Sequence, residues 1–475
     1  MTEPRHFSLL DFVLVVGVVI LALVLRAGYL RLCTDAEHPQ GTVFVQDLPA
    51  SASTAPESEE FKTLVENVKF NFGFIDKAPF ASKEEVTADR APGYPVLVGL
   101  LARVVSDDDL NRTVQWIQVL VSSLTAGLYF LFARRAFRST LVALVAGILT
   151  AVYPLWIINS VALNDGTLTA FLLALSLWLG VRAGQSGGAF SSLLFGLFLA
   201  GLALTRAYYF PFTVVAVAWF LVHSRHLNWG WLCALVAFLG FVIGLAPWTV
   251  RNYQVFGEPV PIADSGFYHI WIGNNPNADG GPVTADMVKE AESTLNQGAP
   301  KKLSESDQPE RYTRLNEVVR DTMHHDSLRV VNSRIHAGLY FFLGRKFFDD
   351  GHFVARLEPV KTSAEDDTAS TWTRDFQGWM RNAIDVVIAV TILLLLGLGL
   401  LGWRWTYGWR RDSRPATLAM IFIPLAYILT HGEALHGPRL PLDGVLLCYA
   451  AFMLCLPFLG SYLAAGSARA GGEVP

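Results

Sequence analysis

The chain has 475 residues, of which 52% are hydrophobic and 16% are charged, and its formal net charge is −4. Soluble domains carry roughly a quarter charged residues, so a wholly soluble protein is excluded and the apolar excess is assigned to lipid. The near-neutral charge, without a basic block or an aromatic-interleaved basic patch, argues against nucleic acid as a partner.

Long apolar runs recur along the chain, and each predicts a helix because lipid offers no partner to backbone polar groups. We predict about ten membrane-spanning helices from the length needed to cross a bilayer. Their cores are 7–30, 112–133, 140–159, 166–182, 190–205, 208–223, 229–248, 383–403, 416–431 and 440–460. The first run is longer than the apolar part of a signal peptide, so we expect a retained anchor. The two short runs that meet at Arg206 fit either a helical hairpin or a broken pair.

Arginines in the short loops predict the orientation, because cytoplasmic loops carry an excess of basic residues. They are Arg134, Arg135, Arg138, Arg182, Arg225, Arg404, Arg410, Arg411 and Arg414. The long segments 31–111 and 252–382 then face outward. We therefore predict a multi-pass protein of the inner (cytoplasmic) membrane, with an all-α polytopic fold and an active site that faces the periplasm or exterior.

Three regions follow from this topology. Residues 1–250 are expected to form an N-terminal transmembrane module, 251–382 a small outward domain of helices and irregular structure, and 383–475 the C-terminal transmembrane helices. In the first outward loop, the stretches 58–72 and 94–105 have apolar residues at helical spacing, which predicts two helices at the membrane surface.

The second outward segment divides into two parts. Residues 257–282 are rich in turn formers, and 308–345 are expected to be helical. Within the first part, Trp271-Ile-Gly-Asn-Asn-Pro276 is predicted to be the end of a strand that enters a turn.

Chemistry is expected where ionisable residues meet at the outer mouth of the helices. Five places share that level: Glu57/Glu59/Glu60, Arg90-Ala-Pro-Gly-Tyr-Pro95, Asn164-Asp165, Arg206 and Arg251-Asn252. Arginine suits phosphate because it offers paired donors, and a nearby carboxylate can take a proton from an acceptor hydroxyl. The set indicates general-base displacement at an anomeric carbon, with a lipid phosphate as leaving group.

The same residues resemble a known family. The string Glu57-Ser-Glu-Glu-Phe61-x-x-Leu64-Val-x-Asn67, followed by Arg90-Ala-Pro-Gly-Tyr-Pro95, is similar to the outer-loop pattern of the GT-C glycosyltransferases, in the ArnT/PMT-like and Rgt-like branch. Further matching stretches follow in order: Tyr153-Pro154, Asn164-Asp165, Leu204-Thr205-Arg206, Pro247-Trp248-x-x-Arg251-Asn252, Trp271-Ile-Gly-Asn-Asn-Pro276 and Arg439-Leu-Pro441. The resemblance implies a GT-C-like membrane fold.

The resemblance also implies a reaction. It is inverting transfer of a sugar from a polyprenyl-phosphate-linked donor to a lipid, glycan or protein acceptor, in contact with membrane lipids. The family's first-loop base, usually aspartate, falls on Glu57; this departure leaves Glu59, Glu60 and Asp35 as rivals. The second acidic position falls on Asp165, which is expected to take part in catalysis as an auxiliary acid or by positioning the acceptor.

The remaining expected contacts to substrate are Glu59, Glu60, Arg90, Tyr94, Arg206, Arg251 and Arg439. No cofactor and no metal site are predicted, and a divalent metal stays open. The 4 cysteines form no CxxC pair, and adjacent His324-His325 point about 100 degrees apart on a helix, which is unsuited to holding one ion together.

Each site residue also has a structural explanation. The glutamates suit the start of a helix, Asp165 is a good helix cap, Arg206 has the length to snorkel, and Arg251 is placed to anchor a helix at the interface. At the level of function, the alternatives are a transporter or flippase of lipid-linked or anionic substrates, and an inactive assembly subunit. The scarcity of charge in mid-span and the lack of a visible repeat argue against the transporter.

Overall fold

The structure, a computed structural model, describes residues 7–35, 59–70, 73–76, 85–264, 266–275, 277–280, 285–297, 301–302, 305, 308–343, 410–430 and 439–459. Its elements in chain order are α1 (Leu9–Asp35), α2 (Glu59–Lys69), β1 (Ile75–Asp76), β2 (Glu85–Val86), α3 (Gly93–Leu101), α4 (Asp107–Ala136), α5 (Thr140–Val152), α6 (Pro154–Asn159), α7 (Gly166–Ser186), α8 (Ala189–Thr205), α9 (Phe210–His223), α10 (Gly230–Phe256), α11 (Gly266–Asn274), α12 (Ala285–Asn296), α13 (Gln308–His325), α14 (Ser327–Leu343), α15 (Arg410–Thr430) and α16 (Leu440–Cys455). Short 3₁₀ turns occupy Ala207–Tyr209, Ser224–His226 and Leu456–Leu459.

The predicted all-α membrane fold is confirmed. Within the described ranges, six helices (α1, α4, α7, α10, α15 and α16) are long and apolar enough to cross a membrane. Three shorter apolar helices, α5, α8 and α9, complete the bundle. The antiparallel β1–β2 pair is only two residues long on each strand. The count of ten spans stays a prediction, because the expected core 383–403 lies outside the described residues.

The arginine-rich loops converge on one end of the bundle. Arg138 donates to Asp412 at 2.8 Å, and Gln185 near the end of α7 donates to the same carboxylate at 3.1 Å. Arg134 donates to Asp11 at 2.9 Å. The opposite end of α7 carries the candidate site, so the structure separates the arginine-rich end from the site end as the charge pattern predicts.

Helices α8 and α9 form a hairpin, which decides between the two arrangements expected for this segment. The Phe195 ring near the start of α8 lies 5.2 Å from the Phe220 ring near the end of α9, so the helices run antiparallel. Arg206 sits at the tip in an extended conformation, with φ −143 and ψ 116. This backbone ends α8 and aims the arginine side chain away from both helix axes.

The predicted span 140–159 is divided into α5 and α6 at Pro154. Proline has no N–H to donate, so the last carbonyls of α5 lose their helical partners. Arg26 of α1 replaces them: its guanidinium donates to Ala151 O at 2.9 Å and to Thr150 O at 3.2 Å. The charge of this buried arginine is therefore stabilised by the partial negative charge at the end of a helix.

The two helices of the first outward loop stand where the apolar spacing predicts them. Val65 of α2 and Val98 of α3 are buried in a shared cluster. Exposed apolar side chains at Phe70, Leu100 and Val104 remain on the outside, as expected of helices at a membrane surface.

The segment Trp271 to Pro276 is helical up to Asn274, so the predicted strand end is wrong. Helix α11 packs against the last turn of α15. Asn274 donates to Leu429 O at 3.1 Å, and a Cβ on Gly273 would lie only 2.9 Å from Thr430 O. Gly273 thus permits the close approach of α11 to the end of α15, and Asn274 donates to a carbonyl of its last turn.

Candidate active site

An ion pair between Asp165 and Arg206 lies at the end of the bundle opposite the arginine-rich loops. Arg206 Nε is 2.5 Å from Asp165 Oδ2, and its NH2 is 2.6 Å from Oδ1. The side chains are 3% and 13% exposed, respectively. Tyr208 also accepts a hydrogen bond from Arg206 at 2.8 Å. This bidentate geometry is the strong form of an arginine–carboxylate contact, and it joins the start of α7 to the tip of the α8–α9 hairpin.

The geometry of Asp165 is not that of a helix cap, and the geometry of Arg206 is not that of a side chain that snorkels to the interface. Asp165 stands at the N-cap position of α7, but its side chain makes no cap hydrogen bond. Asn164 takes that part, because its Oδ1 accepts from the backbone N–H of Gly166 at 2.8 Å. Arg206 is directed to the carboxylate rather than to the membrane surface. Asn164 therefore caps α7, and the Asp165 carboxylate is available to bind Arg206.

Two glutamines of α4 hold the turn that carries Asp165. Gln115 donates to Val161 O at 3.0 Å, and Gln118 donates to Ala162 O at 2.5 Å. Both glutamine side chains are buried. The turn is thereby fixed on the rigid surface of a spanning helix.

The first outward loop reaches this site through the Arg90–Pro95 turn. A Cβ on Gly93 would lie 2.8 Å from Leu204 O, so only glycine permits this approach to the end of α8. Tyr94 is buried and donates to Gln118 Oε1 at 3.1 Å. Burial, reinforced by nearby Asp165, raises the pKa of Tyr94 above its usual value. Arg90 on the same turn is half-buried.

Arg251 lies in the last turns of α10 and ties that helix to the first outward loop. It donates to Thr87 O at 2.9 Å and to Phe74 O at 3.2 Å. Its guanidinium carbon also lies 4.9 Å from the centre of the Trp248 ring. These contacts give Arg251 a structural task beside its predicted contact with substrate, which stays a prediction.

Another buried ion pair joins the N-cap residue of α16, Arg439, to Asp443 in its first turn. Arg439 Nε donates to Asp443 Oδ1 at 2.7 Å, and Tyr153 donates to Asp443 Oδ2 at 2.7 Å. Arg439 also donates to Phe342 O at 2.5 Å. Sequence reasoning named Arg439 and missed Asp443, although the i,i+4 spacing of opposite charges on a helix was a usable signal.

A small cavity lies between the segments that carry the Asp165–Arg206 and Arg439–Asp443 pairs. It is lined by Ser122, Thr125, Trp156, Asn159, Gly166, Thr167, Ala170 and Leu440. The cavity has room for about one water molecule. The cavity is therefore too small for a sugar and does not serve as a substrate pocket.

A pair of aspartates beside Arg90 was also missed. Asp264 donates its backbone N–H to Ala88 O at 3.2 Å, which holds the segment after α10 against the first outward loop. Burial, with the hydrogen-bonded carboxyl group of Asp264, raises the pKa of Asp89 well above its usual range. Asp89 directly precedes Arg90, so an acid next to a candidate arginine was the available signal.

Several predicted residues fall outside what the structure describes. Glu57 is one, and the side chains of Glu59, Glu60 and Asp35 are others, although their backbones lie in α2 and α1. Their roles stay predictions. Within the described part of the chain, no group of three or more His, Cys, Asp or Glu side chains is arranged to hold a metal ion. His324 and His325 are exposed at the end of α13.

Comparison with known proteins gives a family match over part of the chain and a shared fold. A family model described as "Dolichyl-phosphate-mannose-protein mannosyltransferase" matches residues 89–250, which include Asp165 and Arg206. No curated protein sequence matches the chain.

Two structures of an oligosaccharyltransferase from Archaeoglobus fulgidus share the fold. The apo form matches with 14% identity and a TM-score of 0.50 over 99% of this chain and 53% of the other. The form in complex with an inhibitory peptide and a dolichol-phosphate matches with 14% identity and a TM-score of 0.51 over 98% and 53%. The chain thus spans about half the length of these proteins. The solved structures show the fold that this multi-pass membrane chain shares, and the matched family segment lies within that fold.

Proposed function

We propose that the chain is a membrane glycosyltransferase that transfers a sugar from a polyprenyl-phosphate-linked donor to an acceptor at the outer face of the cytoplasmic membrane. The observation that carries this proposal is the buried bidentate Asp165–Arg206 pair. It lies where the first outward loop, α7 and α8 meet, and both residues fall in the segment that matches a family of lipid-phosphate-sugar transferases. The dolichol-phosphate in the complex of a protein with the same fold supports a lipid-phosphate donor.

The proposed reaction is a single displacement. A carboxylate takes the proton of an acceptor hydroxyl, the acceptor oxygen bonds to the anomeric carbon, and the bond from that carbon to the phosphate oxygen breaks. The polyprenyl phosphate leaves with the bonding electron pair, and the sugar is inverted. We assign the role of base to Glu57. Arginines at the level of the site stabilise the negative charge that develops on the leaving phosphate.

Asp165 has a different role in this proposal. Because both of its oxygens already accept from Arg206, it is poorly placed to act as the base. We assign it to hold the Arg206 guanidinium at the outer level, and Arg206 to stabilise the leaving phosphate. Arg90 and Tyr94 reach the same level through the Gly93 turn, and Arg439 approaches from α16.

Purified full-length protein in liposomes, supplied with a labelled polyprenyl-phosphate sugar and a mixture of lipid and glycan acceptors, tests the function. Transfer of label with release of polyprenyl phosphate is expected. Movement of the intact donor across the bilayer without cleavage would establish a transporter instead. Binding without either outcome would indicate an inactive assembly subunit.

The base is tested separately by Glu57→Gln, which should abolish transfer while donor binding persists. Glu59→Gln and Glu60→Gln test the two rival positions, and Glu66→Gln, at an exposed acid of α2, is the control that should retain transfer. If Glu57→Gln transfers sugar at the normal rate, Glu57 is not the base. Loss of transfer in Glu59→Gln or Glu60→Gln, with transfer retained in Glu57→Gln, would move the role to that residue.

A further inference from the structure

Helix α14 in the second outward region has two different apolar faces. One face is packed: Ala337 is 2% exposed and Phe341 is fully buried. The opposite face carries an exposed apolar stripe, which consists of Leu328, Val331, Ile335 and Leu339. These residues are 84%, 57%, 57% and 38% exposed, and their spacing places them on one side of the helix.

The preceding helix, α13, shows what a water-facing helix in this region looks like. Its apolar residues Leu315 and Val319 are buried, and positions Glu317, Arg320 and Asp321 are exposed. Polar residues on the outer face and apolar residues on the inner face are the normal pattern for a helix in water. The exposed stripe of α14 departs from that pattern, although the two helices are consecutive.

The contacts of α14 fix its level relative to the membrane. Arg334 donates to Ile428 O at 2.7 Å, and Gly338 faces the Ile428 side chain. Ile428 belongs to the last turn of the spanning helix α15. Ile335 and Leu339 directly follow Arg334 and Gly338 along α14, so the stripe passes this same level.

The outer surface of α15 at that level is apolar and exposed. Ile421, Leu425 and Leu429 recur every four residues and are 51%, 45% and 50% exposed, up to the end of the helix. In a helix that crosses a membrane, such a face contacts lipid. The stripe of α14 therefore continues a lipid-facing surface beyond the end of the span.

We propose that α14 lies in the membrane–water interface on the outward side, with an apolar stripe in contact with lipid acyl chains. The stripe is formed by Leu328, Val331, Ile335 and Leu339. Amphipathic helices of this kind insert their apolar face to the depth of the boundary between headgroups and acyl chains. Arg334 and Gly338 hold α14 on α15, so the second outward region is attached to the bilayer as well as to the bundle. This inference is independent of the proposed reaction.

Site-directed spin labelling of full-length protein in phosphatidylcholine liposomes tests the proposal. Val331→Cys and Ile335→Cys carry the label, and Glu317→Cys and Arg320→Cys on α13 are matched controls. Cys33→Ser serves as the background, since Cys233, Cys448 and Cys455 are buried. Relaxation by oxygen, which concentrates in lipid, is compared with relaxation by a water-soluble nickel chelate.

At Val331 and Ile335 we expect the oxygen effect to exceed the nickel effect at least threefold, and the ratio to reverse on α13. Equal or greater access of nickel at both stripe positions would place α14 in water and overturn the proposal. Labels that neither agent reaches would show that protein covers the stripe, either residues 344–409 or a second copy, and would equally overturn it. Two independent stripe positions keep the test valid if one labelled variant fails to fold.

Discussion

Two of the buried arginine–aspartate pairs, Asp165–Arg206 and Arg439–Asp443, are built differently. Asp165 and Arg206 belong to separate elements and meet through two contacts, of 2.5 and 2.6 Å. Arg439 and Asp443 lie one turn apart on α16 and share a single contact of 2.7 Å, and Tyr153 completes the carboxylate's partners. The first pair thus depends on how the loops and helices meet, whereas the second forms as soon as one helix forms.

This difference indicates what each pair can do. A pair that joins two elements fixes their separation, and in this structure it fixes the position of the start of α7 relative to the tip of the α8–α9 hairpin. A pair within one helix fixes only its own side chains, and here it adds a link to α14 through Phe342 O. We therefore expect the first pair to matter more for both stability and transfer.

The largest effect is expected from Asp165→Asn. It leaves Arg206 buried without its counter-charge, and removal of one partner of a buried pair costs about 3–5 kcal/mol. Chemical unfolding of the purified protein in detergent measures this loss, and sugar transfer should fall with it. Asp107→Asn removes the exposed partner of Lys69 and is the control, with a cost of about 0.2–1 kcal/mol. Equal losses of stability in both variants would contradict the expected contribution of the Asp165–Arg206 pair to stability.

A smaller loss is expected from Asp443→Asn. This variant also removes the counter-charge of a buried arginine, but asparagine keeps an acceptor for Arg439 Nε, and the Tyr153 hydroxyl can accept from the new amide. At Asp165 the new amide would instead face a second guanidinium donor, so the loss for Asp443→Asn is expected at the lower end of the range, about 3 kcal/mol. The same unfolding measurement tests it. A loss as large as that of Asp165→Asn would remove the distinction between a pair across elements and a pair within a helix.

Gly93→Ala tests whether the first outward loop must approach the hairpin tip closely. Its Cβ would meet Leu204 O at 2.8 Å, and overpacking of this kind costs about 1–3 kcal/mol. Gly28→Ala is a matched control in α1, because no atom lies within 4 Å of its Cβ position. The control should be neutral or slightly stabilising, since alanine favours helix. Unfolding curves that rank the two variants in the opposite order would refute the close approach.

The smallest effect concerns pH. Because the pKa of Asp89 is raised in the folded protein, its stabilising contribution is fully present below the unfolded pKa of about 4 and is lost as pH rises through the folded value. Stability should therefore fall more steeply with rising pH in the wild type than in Asp89→Asn or Asp264→Asn. Unfolding measured from pH 4 to pH 8 gives the slopes, and identical slopes in all three proteins would exclude this contribution.

Sequence reasoning identified Asp165 and Arg206 as candidates but not as partners. Their types and their outer-level positions were visible in the apolar pattern, whereas their contact required the α8–α9 hairpin to return Arg206 to the start of α7. Arg26 was missed for a related reason, because its carbonyl partners lie at the end of α5, far away in the sequence. Asp443 and Asp89 did have local signals in Arg439 and Arg90, but only the structure shows that they are buried. The predicted strand end at Trp271 was wrong, and the segment packs as a helix against the end of α15, which is remote in sequence.

By itself, the sequence determined the membrane location, most of the helices and the grouping of charges at two ends of the bundle. These follow from local quantities, namely the length of apolar runs and the identity of the residues between them. Only the tertiary structure decided which arginine meets which carboxylate, where α5 breaks and what satisfies its carbonyls, and which face of α14 is left exposed. Those outcomes depend on contacts between residues far apart in the chain, for which local spacing holds no information.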